Sequence, residues 1–218
     1  MSPRLKLAKS WTAVAEVTSM RQYGLIGDSS LYCKNRKKVK RIGPELQEQL
    51  QTNDLWYYSI ANAGVHTILQ RLRDTPLTFE TLGISYFGND LTEGRIRPEV
   101  RAAWFELMDL VEEKAQKVVF VVGGAAPSAF SRKQIWGNAR RYAKHHGLTA
   151  QYDENLAQVR TWLGHRGHFV HTFEKQLYSW RLHGDGMHWH ADVSEELSAT
   201  WADLLSPPCR LAMPHEVV

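Results

Sequence analysis

The strongest constraint on the fold of this chain is an alternation of short apolar runs with longer helix-like segments. The runs Tyr23–Gly27, Trp56–Ala61, Leu82–Phe87, Val118–Gly123 and His168–Thr172 are each rich in β-branched or aromatic residues, the composition of buried strands. Helical signals separate them. Pro44–Leu50 opens with proline at a first-turn position, and Val65–Leu72 follows the second run. Pro98–Gln116 repeats Val100, Trp104, Leu107 and Val111 at helical spacing. Ser131–His146, Asp153–Leu163 and Val193–Leu205 complete the set, and Trp11–Val17 reads as a short helix before it. Strands alternating with helices predict a mostly parallel sheet covered on both faces, a three-layer α/β/α domain of flavodoxin-like type with about five strands. Such a sheet binds its ligands outside the carboxyl ends of its strands.

The length, 218 residues, suits one domain. Hydrophobic residues at 43% and charged residues at 23% fit a globular chain and exclude a disordered one. No apolar run approaches the roughly 20 residues of a membrane span. The opening residues carry no uninterrupted apolar stretch of the secretory kind, so a cytoplasmic location is expected. Residues 1–21 read as an N-terminal extension, 22–205 as the domain, and 206–218, with Pro207, Pro208 and Pro214, as an irregular tail. Cys33 and Cys209 are too few for a disulfide framework and read as reduced thiols.

Chemistry-bearing residues collect after the predicted strands. Gly27-Asp28-Ser29-Ser30 follows the first, Asn62-Ala63-Gly64 the second, and Gly88-Asn89-Asp90 the third. Asp185-Gly186-Met187-His188 comes after the last strand and a loop. Acyl transfer needs this inventory. A serine hydroxyl attacks only when a base takes its proton. A histidine titrates near neutrality, and a carboxylate holds it in the useful tautomer. Hydrogen-bond donors must face the oxygen that becomes negative.

In this order the segments resemble the blocks of the SGNH/GDSL hydrolases, a superfamily of esterases and lipases. Gly27-Asp28-Ser29 is similar to the first block, Asn89-Asp90 to the third, and Asp185-x-x-His188 before a C-terminal helix to the last. The likeness covers roughly residues 22–205. It implies Ser29 as nucleophile, His188 as general base and then acid, and Asp185 as the residue that orients His188. It implies an oxyanion hole made of the Ser29 N–H, the Gly64 N–H and the Asn89 amide. Asp28 is expected to brace the turn, and Ser30 is a second candidate hydroxyl. Phe87 stands where members usually carry glycine, and the second block has the single glycine of a compact variant. The implied activity is hydrolysis of carboxylic esters, with small-molecule, lipid or sugar esters as substrates.

Other signals compete. Ser29 and Gly64 are also plausible as helix starts, Asn89-Asp90 as a turn, and His188 as a structural histidine. Trp180 and Trp189 flank the Asp185–His188 block, where they would line an acyl or sugar pocket or pack in the core. The formal net charge of +4 is uneven, with six basic residues among the eight from Lys34 to Arg41. That block reads as a solvated loop or as a contact for an anionic partner, nucleic acid or phospholipid. It supports the rival reading of a non-catalytic binding protein. A third reading is a phosphate- or sulfate-ester hydrolase using a metal at the histidines and acids around His188 and His190. The sequence has no GxSxG elbow, no Walker A, no GxGxxG and no HExxH, so no cofactor and no metal are expected.

Overall fold

A computed structural model of the protein describes residues 19–35, 38–92, 94–123, 150–171 and 188–206. The predicted strands form one parallel sheet. Its members are β1 (Ser19–Gly27), β4 (Leu55–Ser59), β5 (Leu77–Tyr86), β6 (Ala115–Val122) and β7 (Phe169–His171), in the order β4-β1-β5-β6-β7. The chain winds outward from β1 in both directions, so the order reverses beside the central strand. That reversal opens a crevice at the carboxyl edge.

Helices α1 (Gly43–Gln49), α2 (Val65–Arg73), α3 (Pro98–Lys114), α4 (Ala150–His165) and α5 (Ser194–Leu205) cover the sheet. Successive strand residues point to opposite faces, and the core divides accordingly. Ile26, Phe120 and Val122 belong to one apolar cluster with Ile68, Trp104, Leu107, Leu156 and Val159 of α2, α3 and α4. Their neighbours Leu25 and Val121 belong to a second, with Leu46 of α1 and Trp201 and Leu205 of α5. The three-layer α/β/α prediction is thereby met. Helix α3 stops at Lys114, two residues before the predicted end, because Ala115 already pairs with Phe79 in the sheet.

One element departs from the sequence reading. The basic block is no loop: β2 (Tyr32–Asn35) and β3 (Lys38–Arg41) form an antiparallel hairpin. A two-residue strand, β8 (Trp189–His190), adds to β2 in parallel, with Cys33 opposite Trp189 and Lys34 opposite His190. The result is a small second sheet in the order β3-β2-β8. Its inner residues, Cys33 and Trp189, join the second apolar cluster, while Lys38–Arg41 are exposed. The predicted helices at 11–17 and 131–146 lie outside the described residues.

Candidate active site

The carboxyl edge of the large sheet is built around a buried carboxylate. At the end of β1, Gly27 lies beside Ser59 of β4 and Ser85 of β5. A side chain there would put its Cβ 2.5 Å from the Ser85 carbonyl oxygen, so glycine is required for the close approach. Asp28 follows, fully buried. Its Oδ1 accepts the Ser30 N–H at 2.9 Å and thereby caps the 3-10 turn Ser29–Leu31. Its Oδ2 accepts the Phe87 N–H at 2.6 Å and the Asn89 Nδ2 at 3.2 Å. The Ser59 hydroxyl donates to the Asp28 carbonyl. One carboxylate thus ties the loop after β1 to the loop after β5. Burial outweighs the hydrogen bonds and pushes the Asp28 carboxyl up to about 7.

Ser29 opens the 3-10 turn and is 1% exposed. Among the described residues its N–H meets no hydrogen-bond acceptor. Ser30 is committed elsewhere, its hydroxyl 2.5 Å from that of Ser85 and its N–H on Asp28. Of the two hydroxyls, that leaves Ser29 as the available one.

The loops after β4 and β5 meet each other. Gly64 precedes the first turn of α2, and Asp90 Oδ2 accepts the Val65 N–H at 2.8 Å. A Cβ on Gly64 would stand 2.6 Å from that same oxygen, which is the physical reason for glycine here. The Gly64 N–H has no acceptor among the described residues. Burial raises the Asp90 carboxyl, and its Oδ1 lacks a hydrogen-bond partner among the described residues. Asn89 donates from Nδ2 to the Ala63 carbonyl at 2.9 Å as well as to Asp28, so its amide bridges all three loops. Gly88, just before it, has φ +93, the left-handed geometry that glycine tolerates. Phe87 is buried in the second cluster, and its carbonyl accepts the Tyr152 hydroxyl. A cleft of about 260 Å³ runs past these loops, lined by Asn62, Gly64, Asn89, Asp90 and Arg97. A larger groove of about 590 Å³ lies between β4 and α2 and contains none of the sequence-predicted site residues.

The histidine arrives on the small sheet. His188 immediately precedes β8 and is 6% exposed. With Cys33 opposite Trp189, the parallel register sets His188 beside Tyr32, three residues after Ser29. The two rings stack with centroids 5.3 Å apart and planes 11° from parallel. The Tyr32 hydroxyl is 3.5 Å from His188 Nε2. The pairing therefore ties the histidine's strand to the segment that carries Ser29.

Trp189 is 5% exposed and belongs to the second apolar cluster. Burial pushes the Cys33 thiol up to about 12, an inert thiol. Asp185, Trp180 and Cys209 lie outside the described residues. His190 pairs instead with Asp192, Nδ1 to Oδ2 at 3.0 Å. Sequence reasoning missed Tyr32 and the capping role of Asp90. A hairpin reading of Lys34–Arg41 would have drawn attention to Tyr32.

No protein-family model matches the chain, and no curated protein resembles it in sequence. Solved structures do resemble it. A lipase/acylhydrolase from Enterococcus faecalis superposes with a TM-score of 0.62 at 14% identity, over 85% of this chain and 95% of that one. A carbohydrate acetylesterase from Sinorhizobium meliloti gives 0.59 at 12% identity, over 85% and 98%. A lipolytic protein of the G-D-S-L family from Veillonella parvula gives 0.56 at 15%, over 85% and 97%. The chain has the fold of the GDSL/SGNH hydrolases. The likeness spans nearly the whole of each of these proteins. No helix among the described residues is long and apolar enough to cross a membrane.

Proposed function

We propose that this protein is a serine hydrolase that cleaves carboxylic esters through an acyl-enzyme. The observation that carries this reading is the meeting of the two sheets. Asp28 gathers Ser30, Phe87 and Asn89 at the edge of the large sheet, next to Ser29, and the β2–β8 pairing sets His188 beside the segment leaving Ser29. The fold shared with esterases and acylhydrolases supports it.

In the first half-reaction Ser29 Oγ attacks the ester carbonyl while His188 Nε2 takes its proton. The carbonyl oxygen becomes negative and is met by the Ser29 and Gly64 N–H groups, neither of which has another acceptor among the described residues. The Asn89 amide joins them by exchanging its longer bond, the 3.2 Å contact with Asp28. The ester C–O bond then breaks, and His188 passes the proton to the departing alcohol. Water attacks the acyl carbonyl as His188 takes its proton, and the acid leaves as Ser29 regains its hydrogen. Asp185 holds His188 in this scheme, and Trp180 borders the acyl or sugar group.

Intact mass after exposure to a fluorophosphonate tests the reading. Wild type gains one adduct and Ser29→Ala gains none. The labelling rate falls on acidification, because a protonated base cannot take the serine proton. Folded wild type that gains no adduct, or a rate flat from about pH 5 to 9, overturns the hydrolase and leaves a binding protein that uses the basic hairpin.

A further inference from the structure

Helix α4 carries a polar side chain on its apolar face. Tyr152, Leu156, Val159 and Leu163 repeat at helical spacing and belong to the first apolar cluster. Asn155 lies on the same face, one turn after Tyr152, and is fully buried. A buried amide is costly unless it is bonded, and this one is bonded at both ends. Its Nδ2 donates to the Leu91 carbonyl at 2.9 Å and to the Gly94 carbonyl at 2.7 Å. Its Oδ1 accepts the Gln151 Nε2 at 3.2 Å. Two carbonyl oxygens beside one atom of the amide require that atom to be the nitrogen. Tyr152 gives its hydroxyl to the Phe87 carbonyl, while the Phe87 N–H is held by Asp28 at 2.6 Å. Asn89 therefore sits midway between two anchored residues, Phe87 and Leu91. Gly88 rests on the same helix face, where a Cβ would meet Tyr152 Cε2 at 3.0 Å and Leu156 Cδ2 at 3.3 Å. Neither α4 residue lines the cleft beside Asn89.

We propose that Asn155, with Tyr152 beside it, is a positioning residue for Asn89: the two side chains hold the turn Asn89–Leu91 from behind and so set where the Asn89 amide stands. The effect on rate rests on the ester-hydrolase reading, and the effect on the amide does not. Beyond Tyr86 the chain has left β5, and ladder bonds no longer fix it. The Asp28 carboxylate takes up N–H groups of this loop. Its carbonyls need donors instead, and Tyr152 and Asn155 supply them. The bonds from Asn89 to Asp28 and to the Ala63 carbonyl can place the amide only if the backbone behind it is also held. A misplacement of about 1 Å caused by a remote change costs up to about a hundredfold in rate. An oxyanion donor acts on charge that develops in the transition state, so its displacement lowers kcat and leaves KM nearly unchanged.

Asn155→Leu keeps the size of the side chain and removes its donors, and Tyr152→Phe removes one hydroxyl. With para-nitrophenyl acetate, Asn155→Leu should lose about thirtyfold in kcat and Tyr152→Phe about fivefold, with KM within about twofold of wild type. General loosening of the fold would also lower the rate, so a double-mutant cycle decides. In Asn89→Ala no amide is left to misplace, and adding Asn155→Leu should cost less than about twofold more. A second readout needs no activity. The side-chain amide of Asn89, identified in nitrogen–proton spectra by its loss in Asn89→Ala, should exchange with solvent about tenfold faster in Asn155→Leu, while the backbone amides of β1 and β5 keep their wild-type rates.

A further thirtyfold loss in the Asn89→Ala background overturns the proposal. So does a folded Asn155→Leu protein with wild-type kcat, or one that raises KM alone. Should Asn155→Leu fail to fold, Tyr152→Phe decides through the same cycle and the same amide. Wild type that takes up no fluorophosphonate removes the hydrolase reading. An Asn89 amide that then exchanges at the wild-type rate in both variants overturns the positioning as well, and a faster one upholds it.

Discussion

The two sheets of this molecule are built by different rules and carry different halves of the candidate site. The large sheet is stabilised by long parallel strands sandwiched between apolar clusters, and Ser29, Gly64 and Asn89 sit on the loops at its edge. The small sheet has strands of four, four and two residues, an exposed basic strand, and a pairing of β8 with β2 that sets His188 beside Tyr32. Acceptors and donors at the first edge are locked by a buried carboxylate. Among the described residues the histidine is placed by a short strand, two stacked rings and the burial of Trp189. A rigid frame thus presents the proposed nucleophile and oxyanion donors, and a slighter one presents the proposed base. Damage to the two should look different.

The largest expected effect lies at the large-sheet edge. Asn89→Ala removes a proposed oxyanion donor and should lower kcat/KM for an ester about a hundredfold. It also deletes the bonds to Asp28 and the Ala63 carbonyl, a stability loss of about 2 kcal/mol by urea denaturation. A normal rate with lowered stability would make Asn89 a brace only.

Next comes Asp28→Asn. An amide presents one acceptor to Phe87 and Asn89 and turns an NH2 toward the Ser30 N–H, which leaves a buried donor unpaired at a cost of about 1–3 kcal/mol. The pH dependence sharpens this. The folded carboxyl titrates at about 7, above its ordinary 3.8, so the folded state keeps a proton that the unfolded state has lost. The stability this supplies is complete below about pH 4 and is lost as pH rises through about 7. Urea midpoints of wild type should therefore fall toward those of Asp28→Asn between about pH 4 and 8. A constant gap would place the proton elsewhere.

The smallest effect belongs to the hairpin. Lys40 binds Glu45 of α1 and donates to the Ser194 hydroxyl at 3.0 Å, but it is half exposed. Lys40→Ala should cost about 0.5 kcal/mol or less and leave labelling of Ser29 unchanged. A large loss of labelling would show that the small sheet is held by charge rather than by its apolar side.

The same contrast explains what could be read from the sequence. The five sheet strands announced themselves because each is a buried run of β-branched and aromatic residues, and Ser29, Gly64 and Asn89 were then located by the rule that loops follow strands. His188 was found from its spacing to Asp185 and not from any strand pattern. The small sheet was illegible for physical reasons. Two residues, Trp189 and His190, carry no periodicity, and a strand pair with lysines on its outer face looks like solvated coil. Asp28 was expected to brace a turn, yet its reach to Phe87 and Asn89 depends on the lateral order of strands, which no local pattern reports. Tyr32 stayed hidden for the same reason, since its neighbour is 156 positions away.

That separation has a consequence for biosynthesis. Contacts between distant residues form late, after the loop entropy between them has been paid. A nascent chain exposes Ser29 and completes β1, β4, β5 and β6 well before His188 leaves the ribosome. On the proposed mechanism the partly made protein carries a nucleophile without its proton acceptor, and the two elements meet only when β8 docks on β2. Translation order thereby delays the proposed activity until the segment that carries His188 has emerged.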